Sequence, residues 1–345
     1  MRKGLLQTLK FIAFLAIGIV LLWLAFRNVN FAKLTDLLKE ADYSWLILSV
    51  LFGLFALVSR ARRWVLLVNS LGFKSSTRNA FYALMTGYLA NLALPRIGEI
   101  TRCLALGKKE KIPVDQLIGT VVIERTIDFF SLLTIMMILI FTSGDQINQF
   151  LKESILIPVQ QKIFSIFGNT CILWVVLFLV GVTSLYLIIR HKKRLRKIRF
   201  FSKFFDVAKG IISGLKTITK LKRKGEFILH TVFIWLNYAL MTWVVVFSLE
   251  STSHLTFGNS IFILVIGGLA MSAPVPSGLG AFHYIVSRGL LFVNGIPIED
   301  GLAYALLSHE SQLIFIAIVG AISFFIIFRK EKIAFPPLVQ PPNPA

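Results

Sequence analysis

Acidic residues are scarce in this chain: 17 aspartates and glutamates face 37 lysines and arginines, a net charge of +20. Cysteine is scarcer, with two in 345 residues, and histidine occurs five times. Cys103 lies in a basic segment and Cys171 opens an apolar run, so neither a disulfide nor a metal site is expected. The sequence also lacks a G-x-x-x-x-G-K loop, an H-E-x-x-H pair and a G-x-S-x-G elbow. No polar stretch is long enough to fold as an extramembrane domain. These absences argue against an ATP-driven pump and a conventional soluble transferase; no cofactor is expected, and the chain is not expected to be an enzyme. Nor does a nucleic-acid motif accompany the positive charge, so no nucleic-acid partner is expected.

What the chain has in quantity is hydrocarbon. It is 56% hydrophobic with 31 phenylalanines, above the roughly 45–50% of soluble domains. The apolar residues gather in runs near the roughly 20 residues that an α-helix needs to cross a bilayer. Full spans are expected at about 8–26, 45–59, 118–142, 171–190, 227–249 and 301–328. The first has a basic start but no small-x-small cleavage signal, and reads as an uncleaved span. Alternating polar and apolar strands of the barrel kind are absent.

Charge orients these spans. Segment 60–78 carries five cations and no acid, 96–111 is basic, and 190–224 is almost continuously basic with Asp206 its one acid. Segments 143–169, 250–258 and 294–300 carry few cations. Basic loops stay inside, which puts both termini in the cytoplasm of a multi-pass inner-membrane protein. Two apolar stretches, 79–95 and 259–293, are then left with loops on one side only. Each is interrupted by proline and glycine, at Pro95–Gly98 and Pro274–Gly280. The expectation is an all-α polytopic membrane protein with about six transmembrane helices and two re-entrant helical hairpins of opposite orientation.

The hairpins also resemble each other. GYLANLALP (Gly87–Pro95) and GLAMSAPVP (Gly268–Pro276) share their glycine-to-proline offset. Each precedes a long helix with a polar cluster, Glu124, Arg125 and Asp128 in one and His309 and Glu310 in the other. Glu124 and Glu310 each lie 18 residues before the end of an apolar run. Opposite topology with weak internal similarity is the mark of an inverted repeat, whose broken helices form a midplane site.

The turn ERTID is followed by FFSLLTIMMILIFT, 14 largely apolar residues, about 21 Å of helix against roughly 30 Å of hydrocarbon. Its charges therefore lie within the membrane or at its inner boundary, where each costs roughly 2.5–3.5 kcal/mol at mid-bilayer if left exposed to lipid. They form either an interfacial belt or a buried set pairing Glu124 and Asp128 with Arg96 or Arg102. Glu99 is spaced to pair with Arg102, and Arg125 with Asp128. In NLALPRIGEITR, Pro95 and Gly98 break the helix, Asn91 can satisfy freed backbone groups, and Arg96 and Arg102 suit an anionic head group. In SRARRWVLL, Arg60, Arg63 and Trp64 read either as interface anchors or as a second head-group site. On the external side, PVPSGLGAFHYIVSRG supplies His283, Tyr284 and Arg288. His283, His309 and Glu310 form either a proton relay or a structural hydrogen-bonded set. The run 191–224 reads as an amphipathic helix on the anionic inner leaflet, within a basic cytoplasmic linker at 190–226. The Pro-rich tail, 331–345, is expected to be disordered.

Together RARRW, GYLANLALPRIGEITR, ERTIDFFSLL and PVPSGLGAF resemble the lysylphosphatidylglycerol synthase transmembrane-region family, over about residues 5–330. The resemblance implies a flippase-like domain over 1–330. It implies Asn91, Pro95, Arg96, Gly98, Glu99, Arg102, Glu124, Arg125 and Asp128 as the cytoplasmic-side motif, and Pro276, Gly278 and Gly280 as the external hairpin. Fused members of the family move aminoacylated phosphatidylglycerol between leaflets; other fusions suggest isoprenoid-linked sugar lipids. Two features depart from the pattern. The chain has no synthase domain, and His283 stands where the family often has an acidic residue. The expected function is movement of an anionic or aminoacylated phospholipid, or a polyprenyl-phosphate-linked lipid, between leaflets. Substrate contacts are expected from Arg60, Arg63, Asn91, Pro95, Arg96, Gly98, Glu99, Arg102, Pro276, Gly278, Gly280 and Tyr284, with Glu124, Arg125, Asp128, His283, His309 and Glu310 balancing charge or coupling to protons. The alternatives are a membrane subunit that presents lipid to a glycosyltransferase or lipid synthase, and an intramembrane lipid transferase.

Overall fold

Apolar runs with helical spacing and few internal prolines fold here as helices, and every regular element among the described residues is helical. The computed structural model describes residues 16–27, 29–94, 96–142, 221–273 and 275–329, with isolated positions between 149 and 183. In chain order the elements are α1 (Ala16–Phe26), α2 (Phe31–Glu40), α3 (Ser44–Ser70), α4 (Thr77–Ala93), α5 (Gly98–Glu110) and α6 (Val114–Thr142). There follow α7 (Lys224–Val244), α8 (Phe257–Met271), α9 (Ala281–Asn294) and α10 (Ile298–Phe328). The protein is an all-α polytopic membrane protein.

Four of these elements, Ser44–Ser70, Val114–Thr142, Lys224–Ser248 and Ile298–Phe328, are long and apolar enough to cross a bilayer. They match the expected spans 45–59, 118–142, 227–249 and 301–328. The expected span 8–26 is described only from residue 16, as α1, and the chain bends by 89° between α1 and α2. The expected span 171–190, the basic run through 220, Pro95 and the tail 331–345 lie outside the described residues, but for an isolated position. One boundary is corrected. The span expected to end at residue 59 continues to Ser70, so Arg60, Arg62 and Arg63 belong to the helix and not to a loop.

The long helices are apolar on their outer faces. Ile47, Leu51, Phe55 and Val58 stand exposed along α3, and Ile314, Ile318, Ile322 and Phe325 along α10. Such stripes face lipid; in water they would be association surfaces. Inside, one core gathers Phe262, Val286, Leu290 and Tyr304 around α8, α9 and α10, and a second gathers Trp64, Leu84, Leu106 and Leu117 around α3 to α6. Helices α3 and α7 run antiparallel: Ser49 bonds the Met241 carbonyl at one end, and Arg62 pairs with Glu226 at the other.

The two interrupted stretches form packed helix pairs, α4 with α5 and α8 with α9. Their limbs have 17, 13, 15 and 14 residues, about 20–25 Å each, shorter than the hydrocarbon thickness. Both breaks contain left-handed backbone, at Arg96 (φ 64°) in the first and at Ser277, Gly278 and Gly280 (φ 47°, 74°, 80°) in the second. The breaks also touch each other. Arg96 Nη2 donates to the Ser272 carbonyl at 2.9 Å, and Ser277 Oγ donates to the Asn91 carbonyl at 3.3 Å. Two carbonyls at the breaks, of Ser272 and Asn91, are thus each met by a side chain of the other break.

Gly98 does more than break a helix. It packs directly on Gly87, where a Cβ would come within 2.6 Å of the Gly98 carbonyl oxygen. Gly225, by contrast, faces open space. Gly98→Ala should therefore lower the thermal unfolding midpoint in detergent by several degrees, while Gly225→Ala leaves it nearly unchanged. Equal shifts would contradict the close α4–α5 contact.

Candidate functional site

Residues three and four apart share a helix face, so α3 presents Arg60, Arg63 and Trp64 together, and α6 presents Glu124 and Asp128 together. The packing of α3 on α6 brings the two sets into contact. Arg60 Nη2 lies 2.7 Å from Glu124 Oε1 and 3.0 Å from Asp128 Oδ2. Arg63 Nη2 reaches Asp128 Oδ1 at 2.6 Å and Glu124 Oε1 at 3.6 Å. From α5, Arg102 Nη1 meets Glu124 Oε2 at 3.1 Å. Arg63 and Glu124 are wholly buried, Arg60 and Arg102 nearly so, and the Asp128 side chain is 14% exposed.

The cluster is held from outside. Trp64 donates its indole N–H to Thr120 Oγ1 at 2.8 Å, and its ring carries the Arg102 guanidinium 4.7 Å from its centroid. Arg60 Nη1 donates to the Tyr238 hydroxyl at 3.1 Å, and Arg63 Nη1 to Thr231 Oγ1 at 3.3 Å. Even so, Arg60 Nε, Arg63 Nε and both Nε and Nη2 of Arg102 have no hydrogen-bond partner among the described residues. Three guanidiniums meet two carboxylates, so the set carries one positive charge more than it cancels. Just beyond, Arg125 Nη2 pairs with Glu99 Oε1 at 3.2 Å and adds no net charge.

A cavity of about 500 Å³ adjoins the cluster, between α3, α6, α7, α8 and α10. Most of its wall is apolar, including Leu57, Phe129, Leu132, Met241, Ile263 and Leu313. Arg60, Arg125, Asp128 and Tyr238 supply its charged and polar end, and His309 and Gln312 also reach it. A small crevice lined by Tyr88, Asn91, Gly98, Glu99, Arg102 and Arg125 lies behind that end.

Several expected partners are corrected. Glu124 pairs with Arg102, as expected, and with Arg60 and Arg63, and Asp128 pairs with Arg60 and Arg63; Arg96 is not among them, since its guanidinium binds the Ser272 carbonyl across the two breaks. Glu99 pairs with Arg125 rather than Arg102, because Arg102 turns inward to Glu124, and Asp128 is already taken by Arg60 and Arg63. Arg60 and Arg63 are not interface anchors: burial removes them from lipid and water alike. Asn91 accepts the Gly98 N–H at 2.7 Å, closing the first break. Pro276, Gly278 and Gly280 shape the second break, and Tyr284 stacks under Arg288; none of the four lines the cavity. His283, His309 and Glu310 do meet, with Glu310 Oε1 3.4 Å from a ring nitrogen of each histidine. Sequence reasoning missed Tyr238 and Gln312, whose signal was a polar residue inside an apolar run.

The profile of the lysylphosphatidylglycerol synthase TM region family matches residues 11–320. The chain belongs to this family. Over 326 residues it is 22% identical to a UPF0104 membrane protein of Methanocaldococcus jannaschii, covering 88% of this chain and 90% of that protein. A UPF0104 membrane protein of Methanothermobacter thermautotrophicus is 22% identical over 346 residues, covering 92% and 96%. No solved structure matches the chain.

Within this family member the cluster imposes a stability signature. Removing one partner of a buried ion set costs about 3–5 kcal/mol, because a charge is left uncompensated. Glu124→Gln should destabilise by that order, and adding Arg102→Met should recover a large part of it by removing the surplus guanidinium. Unfolding of the two single variants and the double variant tests this; simple additivity would contradict the coupling.

Proposed function

We propose that this protein carries an anionic lipid head group across the membrane, with the phosphate held at the polar end of the cavity and the acyl chains along its apolar wall. The observation that supports this most is the surplus positive charge beside an apolar cavity. A buried cation without a counter-charge is costly in hydrocarbon, and a phosphate entering beside Arg60 and Arg125 would relieve it. Guanidinium suits that task, since its paired donors match phosphate oxygens. An apolar pocket with one charged end fits an amphiphile better than a soluble metabolite.

In this reading the two helix pairs are re-entrant hairpins that enter from opposite faces and meet tip to tip, and the protein sits in the cytoplasmic membrane with both termini inside. Inverted repeats with broken helices give alternating access by rocking about such a midplane contact. The reading needs no covalent step on the lipid. With no nucleotide loop in the sequence, movement would be driven by a gradient, the membrane potential or lipid mass action.

The test is leaflet exchange in vesicles containing the purified protein. Labelled phosphatidylglycerol and a polyprenyl phosphate should exchange faster with the protein than without it. Arg125→Gln, on a half-exposed residue at the cavity wall, should slow exchange at least tenfold without loss of fold, by removing about 1.4 kcal/mol or more of head-group interaction. Unchanged exchange in Arg125→Gln would overturn the site. Absence of exchange with every lipid would overturn transport and favour a subunit that presents lipid to an enzyme.

A further inference from the structure

Away from the arginine cluster, a second set of polar groups is built where α9 meets α10. His283 on α9 is wholly buried, and neither of its ring nitrogens has a hydrogen-bond partner among the described residues. Its Nε2 lies 3.4 Å from Glu310 Oε1. His309, on α10 beside Glu310, is also buried, and its Nε2 lies 2.9 Å from the Ser277 carbonyl. A carbonyl only accepts, so Nε2 carries a proton, and with a metal bound this tautomer would offer the Nδ1 lone pair as ligand. That Nδ1 faces Glu310 Oε1 at 3.4 Å. One donor atom from each residue falls in a set whose members all lie within 4.8 Å of one another.

Two imidazoles and a carboxylate thus lie together, joined only by 3.4 Å contacts from each ring to Glu310 Oε1, with both nitrogens of the buried His283 lacking a hydrogen-bond partner among the described residues. We propose that His283, His309 and Glu310 bind a divalent transition metal of the zinc type. Two imidazoles and a carboxylate are a zinc donor set that leaves a fourth position open, and are poor ligands for magnesium or calcium. Around zinc, at bond lengths of about 2.0–2.1 Å in tetrahedral geometry, donor atoms stand roughly 3.4 Å apart. Both histidine-to-Glu310 separations already have that value.

The surroundings match a metal site too. The Ser277 carbonyl fixes the His309 tautomer, as outer-shell acceptors do for metal-bound histidines. Phe282 stacks on the His309 ring at 5.0 Å and holds its plane, while His283 and His309 stand nearly perpendicular at 5.2 Å. The Glu310 side chain is 40% exposed, giving an ion a way in. Bound there, the metal would tie the α8–α9 pair to α10 next to the break that touches Asn91. His309 also reaches the cavity, but the metal site does not rest on the lipid reading.

The test uses the full chain with an affinity tag free of histidine, equilibrated with zinc chloride, gel filtered and assayed for metal by atomic emission. Wild type should retain about one zinc per chain, and cobalt(II) in its place should give the visible bands of a low-coordinate site. Loss of an outer-shell partner weakens metal binding 10–100-fold, so His283→Ala and the isosteric Glu310→Gln should each weaken it more than about 100-fold. His254→Ala, at an exposed histidine elsewhere, should retain zinc. If wild type retains no zinc at micromolar free metal, the set holds a proton instead and the proposal fails. It also fails if Glu310→Gln elutes as wild type and binds zinc equally well.

Discussion

The burial of Arg60, Arg63 and Arg102 against Glu124 and Asp128 is the constraint on which the rest of the structure depends. No charge of this set is stable against lipid, and no pair of helices provides all five. Three helices must therefore pack at fixed register, and a tryptophan, a tyrosine and two threonines complete the shell. A buried ion set adds little net stability but is costly to break, so it holds these helices at the register that pairs it. At this register a cavity adjoins the cluster, whose five charges sum to one net positive charge, with Arg60 and Arg125 on the cavity wall.

The tip contact between the two helix breaks follows from the same economy of polar groups. A chain that interrupts its helices inside a membrane frees backbone donors and acceptors, and water is not there to take them. In this protein a side chain of each break meets a carbonyl of the other, through Arg96 to Ser272 and Ser277 to Asn91. Arg96 is thereby used for architecture although its motif suggested a ligand role. Its backbone is left-handed (φ 64°) and its side chain reaches across the junction to the Ser272 carbonyl.

Much of this was legible before folding. Hydropathy placed the four spans that the described residues contain, and Glu124, Arg125 and Asp128 lie within one of them, Val114–Thr142, ahead of the largely apolar FFSLLTIMMILIFT. Proline and glycine marked both breaks. Partner choice was not legible, because it depends on which helices are neighbours. Arg60 and Arg63 looked like ordinary interface cations, since a helix end cannot be read from hydropathy once arginine lowers the average. Continuing α3 to Ser70 turned those two residues inward, where they take Asp128 from Arg125, while Glu124 draws Arg102 away from Glu99. The His283, His309 and Glu310 set was visible as residues, but its donor geometry rests on the Ser277 carbonyl, which no side-chain pattern reveals.

The central claim is that a surplus guanidinium charge beside the cavity selects an anionic lipid. Native mass spectrometry of the protein released from mixed phosphatidylglycerol and phosphatidylcholine measures that selection directly. Wild type should retain phosphatidylglycerol in preference. Arg102→Met, which leaves two guanidiniums on two carboxylates, should remove the preference while the protein stays folded. Equal retention of both lipids by wild type, or an undiminished preference in Arg102→Met, would contradict the account.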